Sequence, residues 1–175
     1  MNIIINEEEE KNSNISIISA KSNKLKLCCI TWNMHGLSPS QSEIKSLLEP
    51  HKNCDIYAIG SEECLRSIFK SFFYSDKSEW ETGLRNYFGP NYALMASETL
   101  CAIQLVIFIR TSLIKNISRV RCNRVKTGAK NLLGNKGAVG ISFNIFNLSI
   151  MIINCHLAAF QKKKYPKKYG FSKMC

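Results

Sequence analysis

Apolar residues in the first part of the chain gather in short, dense runs that predict strands. Residues 25–32 (LKLCCITW) are rich in β-branched, aromatic and other apolar side chains, which is typical of a buried strand. Residues 55–60 (DIYAIG) repeat this pattern. The sequence therefore predicts two buried strands with a more polar segment between them.

The segment between these runs carries the start signal of a helix. Ser40 followed by Glu43 fits a capping box, in which each residue satisfies a backbone N–H of the other. A short amphipathic helix follows, with its apolar positions at Ile44, Leu47 and Leu48. Pro50 closes this helix. A strand, a helix and a strand in that order predict a parallel pair of strands.

Farther along the chain, a helical pattern gives way to β patterns. The apolar side chains at helical spacing are Trp80, Leu84, Tyr87 and Phe88. This helix is expected to end at Gly89-Pro90. Five strands are predicted after it, at residues 92–96, 102–110, 117–126, 138–146 and 148–156. The tight connection between the last two predicts a hairpin. The fold class is therefore α/β, with an antiparallel meander in the later part.

The composition divides the chain into three segments. Nearly half of the residues are apolar, 45%, so the bulk is expected to be globular. Residues 1–23 are polar and are predicted to be a flexible leader. Residues 24–160 form the predicted domain, and residues 161–175 a basic tail that is expected to be disordered. No apolar run reaches the roughly 18 residues that a membrane-spanning helix needs.

The charge balance points to an anionic partner. The formal net charge is +11, which favours nucleic acid, an acidic membrane surface or a phosphorylated small molecule. An acidic run at residues 7–10 and lysines in the last fifteen residues are interpreted as solvated tails, so only the remaining excess bears on a site. The cysteines form no C-x-x-C pair, which indicates reduced thiols and a cytoplasmic protein.

A glycine-rich stretch at residues 127–140 (TGAKNLLGNKGAVG) could bind phosphate or merely connect two strands. It is not a Walker A loop, because the glycine spacing differs and Asn135 stands before Lys136. On this stretch alone a plain β-connection is equally compatible. Its polar side chains that can donate hydrogen bonds to phosphate oxygens are Thr127, Lys130, Asn135 and Lys136.

Three polar residues follow apolar strands directly. Asn33 ends the first strand, Glu63 follows the second, and His156 ends the last. Each has an ordinary explanation by itself: a turn residue, a solvated acid and a structural histidine. Together they can do chemistry, because a carboxylate suits Mg²⁺ and a histidine can donate to developing negative charge. We therefore expect the three side chains to converge on one pocket for a cation and a phosphate.

Four sequence blocks carry a resemblance to a known family. The blocks TWNMHG, DIYAIGSEE, VKTGAKNLLGNKGAVGISF and IINCHLAA are similar, in order and spacing, to the first half of the inositol polyphosphate 5-phosphatases. The resemblance covers about residues 25–160, and GNKGAV is the most specific part. It implies the superfamily fold of exonucleases, endonucleases and phosphatases, a four-layer α/β sandwich of which this chain would supply a truncated part.

The resemblance also implies roles for single residues. Asn33 would lie in the active site, Glu63 would bind Mg²⁺, and His156 would lie at the scissile phosphate. Asn135 and Lys136 would contact substrate phosphate. The chain departs from the family pattern in having Glu62 where a Gln is usual and Cys155 where a Ser is usual.

Three later blocks of the family do not occur in these 175 residues: Gly-Asp-Leu-Asn, Trp-Thr-Asp-Arg and Ser-Asp-His. The family uses groups from these blocks to prepare the attacking water. Loss of one member of such a unit commonly reduces the rate by several powers of ten. We therefore expect the chain to be a truncated, inactive fragment.

The sequence thus favours a Mg²⁺-dependent enzyme that removes the 5-phosphate from phosphoinositides or soluble inositol polyphosphates. Peripheral contact with an acidic membrane surface fits this function, and nucleic acid is not the expected partner. Two alternatives stay open. One is a non-catalytic module that binds acidic lipid or protein, favoured by the basic tail. The other is a related Mg²⁺-dependent nuclease, which the net charge permits and the GNKGAV block disfavours.

Overall fold

The computed structural model describes residues 2–7, 24–64, 78–127 and 136–157. The strands in these ranges are β1 (Asn2–Glu7), β2 (Leu27–Asn33), β3 (Ile56–Glu62), β4 (Tyr92–Leu100), β5 (Ile103–Arg110), β6 (Ile117–Lys126), β7 (Gly137–Ile145) and β8 (Leu148–His156). The helices are α1 (Gln41–Leu48) and α2 (Ser78–Phe88). Short 3₁₀ turns occupy Glu49–His51, Gly89–Asn91 and Thr111–Asn116.

The strands form two four-stranded sheets. Sheet 1 has the order β2-β3-β5-β4, and sheet 2 has the order β1-β8-β7-β6. Strands β2 and β3 are parallel, with Cys28 opposite Tyr57, which confirms the pair predicted around α1. The other paired strands are antiparallel. The predicted hairpin between β7 and β8 is also confirmed.

The predicted meander is divided between the two sheets, which corrects the expectation from the sequence. Strands β6, β7 and β8 are consecutive and antiparallel, but β4 and β5 join β3 in sheet 1. The reason lies in β5, whose side chains are buried on both faces. Leu105 and Ile107 belong to the core between the sheets, whereas Val106 and Phe108 belong to the core beneath the helices. A strand that is apolar on both faces must lie inside a sheet that is covered on both sides.

The core between the sheets is mostly aliphatic, whereas the core beneath the helices also holds a cluster of aromatic side chains. The inter-sheet core includes Ile56, Leu105, Ile107, Val139, Ile141, Phe143 and Ile152. On the helix side of sheet 1, the Phe88 ring stacks on Phe108 with centroids 4.5 Å apart, and it meets Tyr57 at 4.8 Å. The helix side of sheet 1 is therefore closed by α2 as well as by α1.

Local sequence signals mark the start of α1 and the end of α2. In the capping box of α1, the backbone N–H of Ser40 donates to Glu43 Oε2 at 2.8 Å, and Glu43 N–H donates to Ser40 Oγ at 3.3 Å. Helix α2 ends before Gly89, whose φ of +57° lies in the left-handed region that glycine adopts at little cost. The predicted capping box is thus confirmed.

The described residues stack as helices, then sheet 1, then sheet 2. This arrangement is a mixed α/β fold with two sheets, as predicted for part of a four-layer sandwich. No helix in the described part of the chain is long and apolar enough to span a membrane.

The structure differs from the sequence prediction near the start of the chain. Strand β1 lies within the segment predicted to be a flexible leader, and it pairs antiparallel with β8, Asn2 opposite Ile153. Backbone hydrogen bonds to a neighbouring strand explain why residues 2–7 have regular structure. Residues 8–23 and 158–175 lie outside the described ranges, so the predictions for the remaining leader and the basic tail stay predictions.

Candidate active site

The first half of the site is built where the parallel strands β2 and β3 end side by side. Asn33 stands opposite Glu62 in the register of the two strands. The chain beyond β2 continues this pairing, because Met34 N–H donates to the Glu62 carbonyl at 2.9 Å and Gly36 N–H to the Glu63 carbonyl at 2.6 Å. The ends of both strands are therefore tied together by backbone hydrogen bonds.

Two residues in these strand ends adopt left-handed backbone conformations. His35 has a φ of +47° and Glu63 a φ of +53°. Such conformations are unfavourable for residues with a side chain and cluster at functional sites. Asn33 helps to hold the first, because its Oδ1 accepts the N–H of His35 at 3.0 Å. The sharp turns place the His35 and Glu63 side chains near one another, with His35 Nδ1 at 3.6 Å from Glu63 Oε2.

The second half of the site comes from sheet 2, where β7 begins beside the end of β8. Gly137 stands opposite His156, and Lys136 immediately precedes β7. The Thr127 N–H donates to the Lys136 carbonyl at 2.9 Å, which closes the base of the glycine-rich loop. The Lys136 ammonium nitrogen is hydrogen bonded to Nε2 of His156.

The two halves meet at Glu63. Its Oε1 lies 3.5 Å from His156 Nε2, so a carboxylate from sheet 1 and an imidazole from sheet 2 share one site. The Glu63 side chain is 41% exposed and that of His156 is 17% exposed, which leaves the carboxylate open to a ligand. Asn33 joins the group through the His35 backbone. The structure thus brings Glu63 and His156 together, with Lys136 beside them, whereas the expected approach of the Asn33 side chain to a shared pocket stays a prediction.

Asn135 lies outside the described residues, so its expected contact with phosphate stays a prediction. Residues 128–134 of the glycine-rich loop lie outside them as well. Asn135 and Lys136 were both expected to contact phosphate. Of these two, Lys136 lies within the described residues, and it is hydrogen bonded to His156.

The surroundings of His156 favour its neutral form. Burial lowers the pKa of the imidazole below its ordinary value of 6.5, and the positive charge of Lys136 lowers it further. The carboxylates of Glu63 and Glu62 raise this pKa, but by less than burial and Lys136 lower it. A neutral imidazole can accept the Lys136 N–H at Nε2, which agrees with the observed contact.

Glu62, the residue that departs from the family pattern, is almost fully buried at 7% exposure. Its two carboxylate oxygens accept the hydroxyl of Thr31, at 2.9 and 3.2 Å. A buried charge needs such partners to offset the loss of hydration. Glu62 therefore adds negative charge behind the site, while Glu63 carries the carboxylate that faces outward.

The described site offers one carboxylate that could contribute to binding a divalent cation. Within the described ranges, no group of three His, Cys, Asp or Glu side chains is arranged to hold a metal. Glu63 offers a partly exposed carboxylate instead. Mg²⁺ commonly takes one or two carboxylates, with substrate phosphates and water as its other ligands. Glu63 is the residue that would hold it here.

Sequence reasoning missed three residues of this neighbourhood. His35 contacts Glu63, Thr31 holds Glu62, and Asn154 lies buried two residues before His156. A signal for Asn154 was available, because it is a polar residue in the apolar strand LSIMIINCH and shares the face of His156 by strand alternation. No comparable signal singles out His35, whose position depends on the left-handed turn.

Known proteins resemble the chain in sequence and in structure. A family model described as Endonuclease/Exonuclease/phosphatase family 2 matches residues 30–173. The human phosphatidylinositol polyphosphate 5-phosphatase type IV is 36% identical over 132 residues, which are 74% of this chain and 19% of the relative. The inositol polyphosphate 5-phosphatase domain of SPsynaptojanin, solved with inositol (1,4)-bisphosphate and calcium ion, has a TM-score of 0.67 at 28% identity and covers 79% of this chain.

Similarity of fold extends beyond these phosphatases. A Cimex nitrophorin in its ferrous NO complex has a TM-score of 0.58 at 14% identity, covering 79% of this chain and 48% of that one. That likeness shows the fold alone, so a functional argument has to come from the site residues and the more similar proteins. The chain spans 19% of the length of the human relative and 42% of the solved SPsynaptojanin domain.

Proposed function

The chain belongs to the endonuclease/exonuclease/phosphatase family 2, and from that premise we propose that it forms part of a Mg²⁺-dependent phosphatase that removes the 5-phosphate from phosphoinositides or inositol polyphosphates. The observation that carries the proposal is the 3.5 Å distance between Oε1 of Glu63, which follows a strand of sheet 1, and Nε2 of His156, which ends a strand of sheet 2. Support also comes from the solved 5-phosphatase domain, which holds an inositol bisphosphate and a divalent cation.

The side chains at the site have distinct roles in this proposal. The Lys136 ammonium has N–H donors beyond the one that His156 Nε2 accepts, and these would bind phosphoryl oxygens, with His156 holding the lysine in place. Glu63 would hold Mg²⁺, which when bound neutralises negative charge on those oxygens. Asn33 supports the turn that bears His35, and its exposed amide is available to substrate.

Water attacks the phosphorus in line in this mechanism, and activating it requires groups beyond the described site. The chain covers 42% of the solved 5-phosphatase domain. We therefore expect these 175 residues by themselves to bind an inositol phosphate with the help of Mg²⁺ and to release phosphate at a negligible rate.

Calorimetric titration of the purified chain with inositol 1,4-bisphosphate, with and without Mg²⁺, tests the proposal. We expect Mg²⁺ to strengthen binding and a Glu63→Gln variant to lose that effect. Glu79→Gln, which alters an exposed glutamate of α2, is the matched control and should bind as the parent does. An affinity for inositol 1,4-bisphosphate that changes neither with Mg²⁺ nor in Glu63→Gln would overturn the metal site. Robust Mg²⁺-dependent phosphate release, lost in Glu63→Ala, would contradict the expected inactivity.

A second candidate function, binding to an acidic lipid surface, is favoured by strand β6. This strand is an edge of sheet 2, and most of its residues are exposed. Its cationic side chains are Arg119, Arg121, Arg124 and Lys126. Each basic residue near an anionic bilayer contributes about 1 kcal/mol of attraction.

The free thiols of Cys28 and Cys29 support a reducing, cytoplasmic location for either function.

Sedimentation with vesicles tests this second function. We expect the chain to sediment with phosphatidylserine vesicles and not with phosphatidylcholine vesicles, and Arg119→Glu/Arg121→Glu to reduce sedimentation at least tenfold. The control Lys45→Glu/Arg85→Glu makes the same charge change on the helices and should keep most of the binding. Loss of binding only when residues 162–175 are deleted would assign the lipid contact to the tail instead.

A further inference from the structure

A buried asparagine joins the two sheets beneath the site. Asn154 lies in β8 of sheet 2 and is 1% exposed. Its Nδ2 donates to the carbonyl of Ser61 at 3.3 Å and to the carbonyl of Gln104 at 3.0 Å. Ser61 and Gln104 stand opposite each other in β3 and β5 of sheet 1. One side chain of sheet 2 is therefore hydrogen bonded to two neighbouring strands of sheet 1.

Gly60 makes room for this contact. A Cβ atom at Gly60 would lie 2.6 Å from Cγ of Asn154, which is closer than real atoms approach. Glycine inside a buried strand weakens the strand, and it often marks a place where another group approaches closely. The glycine in the run DIYAIG is thus explained by the amide of Asn154.

The contact stands in a fixed relation to the site. Ser61 precedes Glu63 by two residues, and Asn154 precedes His156 by two residues. Apolar contacts between sheets are non-directional, whereas hydrogen bonds fix distance and angle. We propose that Asn154 is a positioning residue whose two hydrogen bonds to sheet 1 hold His156 beside Glu63. This inference rests on the proposed function only in taking Glu63 as the Mg²⁺ ligand.

The histidine side chains offer a direct readout. The chain has three histidines, and the structure places two of them at Glu63: His35 at 3.6 Å and His156 at 3.5 Å. His35 follows β2 and Glu63 follows β3, both strands of sheet 1, whereas His156 ends β8 of sheet 2. Asn154 should therefore matter to the pairing of His156 with Glu63 and not to that of His35.

The experiment is a Mg²⁺ titration followed through the imidazole NMR signals of the 175-residue chain. In the parent, Mg²⁺ should shift the signals of both His35 and His156, with His51 as the reference. In Asn154→Ala, the His35 shift should persist and the His156 shift should fall at least threefold. Gly60→Ala should act in the same way, because it displaces the amide from the opposite side. Ile152→Ala, a buried residue of the same strand, controls for general loss of stability.

The outcomes separate the inference from the function on which it rests. If the Mg²⁺-induced shifts of His35 and His156 in Asn154→Ala and Gly60→Ala are as large as in the parent, the positioning role is overturned and Mg²⁺ binding stands. A similar loss of the His156 shift in Ile152→Ala would also overturn it, since any weakening of the core would then suffice. If neither His35 nor His156 responds to Mg²⁺ in the parent, the metal site fails, and the positioning role is then judged by the His156 signal itself. That signal should move in Asn154→Ala without Mg²⁺, and an unmoved signal overturns the role.

Discussion

The carboxylate of Glu63 lies 3.5 Å from Nε2 of His156, although Glu63 follows β3 of sheet 1 and His156 ends β8 of sheet 2. Lys136, which immediately precedes β7, contacts the same imidazole nitrogen. His156 thus lies between a negative and a positive side chain in a half-buried position. Its protonation is the property of the site that a pH titration can report.

Folding should become less favourable as the pH falls below neutrality, because of His156. Burial and Lys136 lower the pKa of its imidazole in the folded chain below the ordinary 6.5. Between those two pKa values the unfolded chain binds more protons, so the free energy of unfolding decreases as the pH is lowered from about 7, by at most about 1.4 kcal/mol per pH unit. Urea unfolding followed by tryptophan fluorescence between pH 5 and 8 measures this slope.

Removing the imidazole should remove the slope. In His156→Gln the free energy of unfolding between pH 5 and 7 should be nearly flat. His51→Gln, which removes an imidazole in the 3₁₀ turn after α1, serves as the matched control and should keep the parent's slope. A slope that persists unchanged in His156→Gln would assign the pH dependence to another group.

Lys136 should affect both the protonation of His156 and the binding of phosphate. In Lys136→Met the pKa of His156 should rise toward 6.5, because the ammonium no longer opposes the imidazolium. Binding of inositol 1,4-bisphosphate should weaken by about tenfold or more, since a charged hydrogen bond contributes roughly 1.5–3 kcal/mol. NMR titration and calorimetry measure the two effects. Lys115→Met, in the 3₁₀ turn before β6, should leave both unchanged. Unaltered binding in Lys136→Met would remove this lysine from the phosphate site.

Glu62 should reduce the affinity of this site for phosphate. The residue is buried behind the site and accepts the Thr31 hydroxyl, and its charge is close enough to raise the pKa of His156. Glu62→Gln keeps an oxygen for Thr31 and removes the charge. We expect inositol 1,4-bisphosphate to bind about fivefold more tightly, which corresponds to about 1 kcal/mol. Glu49→Gln, a surface change beside Lys52, is the control. Weaker binding in Glu62→Gln would show that this carboxylate supports the site.

Local sequence signals predicted the elements because those signals act over a few residues. The capping box of Ser40 and Glu43 is one example, since both hydrogen bonds join residues three apart. The strand at residues 117–126 is another, with bounds that agree with those of β6. Alternation along a strand indicates which residues share a face. It does not indicate which sheet a strand joins, and for that reason β4 and β5 were placed with the later strands.

The sequence indicated some candidate site residues, whereas the contacts that bring Glu63 and His156 together could not be predicted from local patterns. Asn33, Glu63 and His156 stood out because each follows an apolar strand, and strands place the residues at their ends rigidly. Their approach depends on contacts between distant parts of the chain, such as the Asn154 amide over Gly60. His35 lies at the site because its backbone is left-handed, with a φ of +47°, and nothing in the local sequence predicted that conformation.

Gly137 should prove necessary for the fold at the point where the glycine-rich loop enters β7. A Cβ atom there would overlap the Val125 carbonyl oxygen and lie 2.6 Å from Cδ2 of Leu100. Because the carbonyl belongs to the paired strand β6, relief requires a backbone shift. Gly137→Ala should therefore lower the free energy of unfolding by about 1–3 kcal/mol and weaken inositol 1,4-bisphosphate binding through its neighbour Lys136. Urea unfolding and calorimetry measure both, with Ser142→Ala as the control in β7. Unfolding at the parent's urea midpoint would show that the strands accommodate the methyl group.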